Sequence, residues 1–453
     1  MNRYKLRLNY DINEVISCRE AETVVVEIPM LLDGRLNYGL EYIKNKLHAD
    51  KIYPSEIGFD IMTLSTLVYM ADTRIERALH GQDSWTREIE LEIPVSNVSL
   101  WFSQAPKIER MLKFLTGDLW TITFSKRAWS FSQSNQSKEK TSAYSKVSLF
   151  SGGMDSLIST INLMEDKENT LLISHAGDGL TKNAQQLIIK KLDVEYPEIL
   201  HKWLDLWMLF PNGFIPEGGN DNNTRSRSFL FIGLGIFAMT GIETAKELMV
   251  PENGLIALNV PLDETRIGSF STRTTHPFYL TLWNEMLNGL GLDLSVKNHY
   301  WNKTKGEMAA ECKNKSVLYE TMKVSYSCSS PGKARWRGLS PQHCGYCVPC
   351  IIRRAAMHKA FGHDETVYTE YSIHEMQKKH AEGIGIQLRS FQYAINKIKN
   401  NRTLAQLYIH KSGPLPDDDI YLKELADTYM RGLLEIDTFI QDNIEREKQK
   451  YDL

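Results

Sequence analysis

The ten residues Val147-Ser148-Leu149-Phe150-Ser151-Gly152-Gly153-Met154-Asp155-Ser156 constrain the fold of this chain more than any other stretch. An apolar run ends at Phe150, a Ser-Gly-Gly turn follows, and Leu157 to Met164 reads as a helix. A strand, a glycine turn and a helix N-terminus in succession bring backbone N–H groups together at the positive end of a helix dipole, which makes an anion site. Gly152 and Gly153 permit positive φ and let the backbone approach a phosphate. Ser151 and Ser156 add hydroxyl donors, and Asp155 can hold Mg²⁺ against phosphates. The spacing is not that of a Walker A loop.

From Lys146 onward the pattern alternates. Thr170 to His175 reads as a second strand, Asn183 to Leu192 as a helix, and Leu204 to Phe210 as a third strand. Arg227 to Ala245 reads as a long, buried helix and Gly254 to Asn259 as a fourth strand. Such alternation predicts an α/β fold, a parallel sheet with helices on both faces and ligands at the carboxyl ends of its strands. The glycine turn falls at one of those ends.

Residues 1–125 predict a separate α+β domain. Glu22 to Ile28, Glu88 to Ile93 and Leu119 to Phe124 read as strands; Ile61 to Arg77 and Ile108 to Leu115 read as helices. Asp60, Asp72, Arg74 and Arg77 read as a solvated helix face. Residues 126–145, with six serines among Gln, Asn and Lys, form a linker with no core of its own. Residues 362–453 predict an all-helical extension whose longest amphipathic run is Tyr421 to Ile444, set off by Ser412-Gly413-Pro414-Leu415-Pro416.

A net charge of −3 gives no global nucleic-acid footprint. No apolar run reaches the roughly 18 residues that span a bilayer, and Met1 to Leu8 holds no signal-peptide h-region, so the expected compartment is the cytoplasm, with no membrane partner. Six cysteines do not make a disulfide scaffold at 453 residues. Four of them, Cys328, Cys344, Cys347 and Cys350, supply thiolates for a tetrahedral, structural Zn²⁺, with Gly345 at the tight knuckle. Two disulfides or a redox cysteine are the competing readings; an intracellular chain disfavours disulfides. Cys18 and Cys312 lie outside this spacing and read as buried thiols.

The SGGMDS run resembles the SGGxDS signature of the PP-loop ATP pyrophosphatases. Together with the late cysteine run and its trailing Arg353, it resembles the 7-cyano-7-deazaguanine synthase (QueC) branch of that family. Arg227 to Leu234 resembles the branch's arginine-plus-apolar-helix segment, and Thr304-Lys305-Gly306-Glu307 its Thr-Lys-x-Glu segment; Cys350 to Ala356 resembles its last zinc cysteine and following helix. The likeness covers about residues 146–361. It implies ATP, Mg²⁺ and structural Zn²⁺ as cofactors, with Ser151, Gly152, Gly153, Met154, Asp155 and Ser156 around ATP, and Arg227 and Lys305 offsetting phosphate charge. It also implies that a 7-deazaguanine acid is adenylated, pyrophosphate leaves, and an amine displaces AMP to give an amide or, after a second round, a nitrile.

The chain departs from that branch where its substrate would bind: Ala176-Gly177-Asp178 replaces a Tyr-Gly-Gln turn, and residues 259–266 and 271–277 are rewritten. Asn259, Asp263 and Arg266 are candidate substrate contacts. Arg273 and His276 suit carboxylate binding or proton transfer, and equally a structural role. The extended architecture resembles QueC-like proteins of bacterial antiphage operons, such as those of the Qat and type IV CBASS systems. It implies that the flanking regions dock an amine-bearing partner protein encoded nearby; a homodimer is compatible. RNA thiolation or ligation to tRNA, and a nucleotide-sensing scaffold without turnover, are the alternatives. The balanced charge and zinc-spaced cysteines count against the first, the intact turn against the second.

Overall fold

The computed structural model describes residues 3–131, 139–175, 177–221, 224–266, 273–379 and 381–451, with side chains to residue 449. Residues 132–138 of the expected linker, Ala176, Ser271 and Thr272 lie outside these residues.

Two five-stranded sheets organise the chain. The first contains β1 (Arg3–Asn9), β2 (Ile16–Glu20), β3 (Thr23–Pro29), β4 (Glu88–Val95) and β5 (Leu119–Lys126), in the order β2-β3-β1-β4-β5. Its pairings are parallel except for β2, which runs antiparallel to β3. The second contains β6 (Lys146–Leu149), β7 (Thr170–Ser174), β8 (His201–Asp205), β9 (Glu247–Met249) and β10 (Ser295–Lys297), all parallel, in the order β8-β7-β6-β9-β10. Strand order reverses beside β6, and ligand crevices of doubly wound sheets form at such a switch point.

The helices that position the site are α1 (Glu56–Arg74), α2 (Ala105–Thr116), α3 (Met154–Glu165), α4 (Gly179–Glu195), α5 (Arg227–Met239), α6 (Gly254–Leu258), α7 (Pro277–Gly289), α8 (Lys305–Ala310), α9 (Val348–Phe361), α10 (Ile386–Asn400) and α11 (Asp419–Tyr451). No described helix is long and apolar enough to cross a membrane.

Local chemistry accounts for most of these elements. In β4, glutamates alternate with buried Ile89, Leu91 and Ile93. Glu90 and Glu92 pair across the ladder with Lys5 (2.6 Å) and Arg7 (2.9 Å) of β1, so the wet face contributes cross-strand ion pairs. Ser55 caps α1 by accepting from the Gly58 N–H.

Three expectations are corrected. The third strand stops at Asp205, so Leu206 to Phe210 continues as irregular chain. Gly254 to Asn259 is not a strand but α6, with Asn253 capping it through the Ile256 N–H and Asn259 ending it at φ 46°. A short apolar run does not distinguish a buried strand from a buried helix, and here the caps decide. The strand of that region is instead the short β9, between β6 and β10. Cys18 is exposed, because β2 is an edge strand with every residue facing solvent; Cys312 is buried as expected.

The solvated helix face is also corrected. Asp60 and Asp72 are fully buried and Arg77 nearly so; of the four only Arg74 is partly exposed, donating to the carbonyls of Phe210 and Pro211. The reason is that α1 lies between the first sheet and α5. Where α1 meets α5, a Cβ on Gly58 would lie 2.2 Å from Thr240 Oγ1 and one on Gly233 2.1 Å from Ser65 Oγ. One hydrophobic core therefore runs from β1 and β4 through α1 and α5 into β6 and β7.

Inside that core Arg77 and Arg87 bind Asp72 and Asp118 at 2.6–2.8 Å, and Arg77 also pairs with Asp221. Burial alone would push the Asp72 carboxyl up, but the Arg87 and Arg77 guanidinium groups outweigh it and hold it below the ordinary range. Replacing Arg87 by methionine leaves two buried carboxylates, Asp72 and Asp118, to share Arg77. The expected result is a loss of about 3–5 kcal/mol in denaturant unfolding, and a loss under about 1 kcal/mol would contradict it.

The ends of the expected linker are packed. Arg127 pairs with Asp60 at 2.9 Å, and Phe131 stacks on Phe59 at 4.5 Å between centroids.

Candidate functional site

Phe150 leaves β6 still bonded to Ile173 of β7, and the chain then turns under restraint from both sides. The Gln185 amide of α4 donates to the carbonyls of Phe150 (3.3 Å) and Ser151 (3.2 Å). The Tyr326 N–H donates to the Gly152 carbonyl at 2.9 Å. Gly152 has φ +80°, and a Cβ there would lie 2.9 Å from Gln185 Cγ, so the turn requires glycine. Ser151 Oγ accepts from the Gly153 N–H at 3.3 Å and lies 3.2 Å from Ser156 Oγ. The Met154, Asp155 and Ser156 N–H groups stand in the first turn of α3, without intrahelical acceptors. The result is a fixed cradle of donors at a positive helix end.

Asp155 is buried within that first turn. Asn253 donates to its Oδ2 from both the side chain (2.8 Å) and the backbone (3.2 Å). Lys305 Nζ faces its Oδ1 at 3.1 Å. Glu252 stands beside this pair, its carboxylate accepting from Thr275 Oγ1. The cavity leaves part of Glu252 open, yet its surroundings are dense. Burial pushes its carboxyl up to about 7, opposed by the Thr275 hydroxyl and Lys305 and reinforced by Asp155.

Lys305 is set by distant sequence. Thr304 and Glu307 form a capping box at the start of α8. Glu435, from α11, accepts from the Gly306 N–H at 2.9 Å and from Thr304 Oγ1. The C-terminal extension thus fixes the helix end that carries Lys305. Glu435→Ala removes both bonds and leaves the charge pair less constrained. The expected result is a loss of about 1–3 kcal/mol in stability; a variant as stable as the parent in urea would refute it.

A cavity of about 460 Å³ opens beside the turn. Ser151, Gly153, Met154, Asp155, Glu252 and Lys305 line it. So do Leu255, Asn259, Val260, Leu262 and Arg266, then Ser327, Lys333 and Tyr346, and Gln387 and Phe391 of α10. Asn259 and Arg266 are therefore brought to the cavity with the glycine turn.

Other candidates lie elsewhere. Asp263 does not line the cavity; it accepts from the Thr265 N–H and hydroxyl within its own turn. Arg227 sits at the end of β7, donating to the His175 carbonyl at 3.1 Å. Arg273 donates to the Phe114 carbonyl at 2.7 Å and lies over the Phe114 ring. His276 caps α7, accepting from the Phe278 N–H, with its other nitrogen 3.2 Å from Ser412 Oγ. It joins the N-terminal region to the extension. Burial, helped by Arg273, lowers its pKa to about 3, so it is neutral at pH 7.

A depressed histidine pKa means that the unfolded chain takes up the proton first. Stability is then lost as pH falls below the ordinary histidine value near 6.5 and on toward 3, by at most about 1.4 kcal/mol per pH unit. Replacing His276 by glutamine should flatten that slope. Urea midpoints of both proteins at pH 7 and pH 5 check it, and equal slopes would refute it.

Glu252, Asn253, Gln387 and Phe391 were not among the candidates. Glu252 and Asn253 follow β9, at the carboxyl end of a strand next to the turn. Assigning a strand to 254–259 hid that position. For Gln387 and Phe391 no local signal existed.

Beyond the cavity, the sulfurs of Cys328, Cys344, Cys347 and Cys350 all lie within 4.8 Å of one another. The closest pairs are at 3.9 Å, near the roughly 3.8 Å edge of a tetrahedron with 2.3 Å Zn–S bonds. Backbone N–H groups of Cys344 and Ser330 point at Cys328 Sγ, and that of Cys347 at Cys344 Sγ, as thiolates require. Gly345 at φ +86° lets the knuckle pass the Glu370 carbonyl, which a Cβ would approach to 2.0 Å. These four residues can hold one zinc ion. Arg353 and Arg354, both buried on α9, brace the knuckle: Arg353 donates to Met322 O and Ser325 Oγ, Arg354 to Gly345 O.

No family model matches the chain, and no curated protein matches it.

Proposed function

We propose that the chain is a QueC-like PP-loop enzyme that adenylates a carboxylic acid, of the 7-deazaguanine class, and passes the acyl group to an amine. The observation that carries the reading is the convergence of Ser151, Gly153, Met154 and Asp155 of the turn with Lys305 on one cavity at the switch point of a parallel sheet; Gly152 and Ser156 shape the turn without lining that cavity. A donor cradle, a cation and a helix N-terminus are what a polyphosphate needs.

In the first step the acid's carboxylate oxygen attacks the α-phosphorus of ATP, and the bond to the pyrophosphate oxygen breaks. In the second an amine adds to the acyl carbon, AMP leaves and one proton is released. The turn holds the phosphates through its N–H groups and the Ser151 hydroxyl. Lys305, not Arg227, supplies the cation that meets the growing charge. Asp155 and Glu252 are hard oxygen donors on the same wall, which fits Mg²⁺, and they would hold it; when bound, that ion neutralises phosphate charge.

The flanking regions account for the amine, which comes from a partner protein encoded nearby, in an antiphage operon. They fill more than half the chain with packed structure that a reaction with ammonia does not need. The test is AMP and pyrophosphate release from ATP with and without 7-carboxy-7-deazaguanine, followed by weighing candidate partners by mass spectrometry. Absence of acid-dependent AMP would sink the adenylation. An unmodified partner beside free nitrile would sink the protein acceptor.

A further inference from the structure

We propose that the C-terminal helical extension builds the acid-binding wall: Gln387 and Phe391 of α10 hold the ring of a planar, N–H-bearing heterocyclic acid, and Arg266 pairs with its carboxylate. The inference rests on the adenylation reading and names the substrate contacts within it.

Three observations converge on this cavity. Arg266 lines it and has no ion pair within 4 Å among the described residues; Asp263, whose charge it feels, is hydrogen-bonded by Thr265. A partly buried guanidinium whose acidic neighbour Asp263 is itself engaged by other donors keeps its fork for an incoming carboxylate. Gln387 also lines the cavity, and its side-chain oxygen is buried with no hydrogen-bond partner among the described residues. A buried acceptor left unmatched favours a ligand that brings an N–H donor. Phe391, 1% exposed, contributes an aromatic edge to the same cavity, together with Leu255 and Val260 of the same apolar cluster, which suits a flat ring.

The occupant is the acid and not adenine. The phosphates of ATP are accounted for by the turn and Lys305, and adenine carries no anion for Arg266. A second reactant with a carboxylate on a flat, N–H-bearing ring satisfies all three groups at once. It also lies in the same cavity as the turn, where its carboxylate must meet the α-phosphate.

The test is isothermal titration of 7-carboxy-7-deazaguanine into the full chain without ATP, for the parent, Gln387→Leu and Arg266→Gln, with benzoate as a flat acid lacking ring N–H groups. Gln387→Leu should weaken the deazaguanine acid about tenfold and leave benzoate unchanged, while Arg266→Gln should weaken both about tenfold. In turnover, the Gln387→Leu loss should appear in KM for the acid, with KM for ATP within about twofold of the parent. Unchanged acid affinity in both variants overturns the proposal, as does a loss that falls on KM for ATP. Acid binding that weakens as expected while no protein forms AMP supports the wall and overturns the adenylation. Gln387 is partly exposed, so its variant folds even if a Phe391 variant, cut from the core, does not.

Discussion

Replacing Lys305 by alanine is expected to lower AMP formation by about 10²–10³-fold, the usual effect of removing one preorganised charge-stabilising group. Lys305 is almost wholly buried and faces Asp155 at 3.1 Å, so its charge acts where water screens little. Arginine is not an adequate substitute. Its planar fork needs more room than the ammonium at the capped end of α8, where Glu435 already crowds Gly306. The single change also leaves Asp155 without its cation, which costs stability by itself. Lys305→Met with Asp155→Asn removes both charges and should regain most of that stability while remaining inactive. Activity in the double variant, or full activity in Lys305→Ala, would refute the assignment of charge neutralisation to this pair.

Removing the metal should have the largest effect on folding. One zinc per chain is the expected result of elemental analysis. Structural zinc contributes about 10–16 kcal/mol to small domains, so stripping it should unfold the knuckle. The loss will not stay local. Tyr346, Cys347, Val348, Pro349 and Ile352 all line the cavity, and α9 begins at the knuckle. Cys350→Ser should lower the melting temperature by about 10 °C or more and weaken ligand binding in the cavity with it. Readdition of Zn²⁺ should restore a chelator-stripped parent but not the variant. A metal-free parent of unchanged melting temperature would overturn this.

Much of the site could be read in advance because its signals are local. The glycine turn is six adjacent residues between a strand and a helix, and such a stretch has few alternative structures. The cysteines are spaced so that three of them share one short knuckle, with only Cys328 distant. Periodicity located β4, α2 and the long α11 for the same reason: each buries one face, and the residues of that face recur at a fixed interval.

Other features could not be read, because nothing in the neighbouring residues records which surface a helix will meet. Asp60 and Asp72 sit at positions that would be wet on a lone amphipathic helix; α5 and the first sheet bury them, and Arg77, just past the helix, is buried as the partner of Asp72, Asp118 and Asp221. The run at 254–259 was compatible with strand or helix until Asn253 capped it. Sequence determined that an anion cradle stands at the end of a strand and that four thiols can meet at one point. Tertiary structure alone decided that Asn253 holds Asp155, that Glu435 of the last helix sets the end bearing Lys305, and that α10 closes the cavity. Those contacts join residues about 100 to 230 positions apart, where chain connectivity imposes no geometry and only packing does.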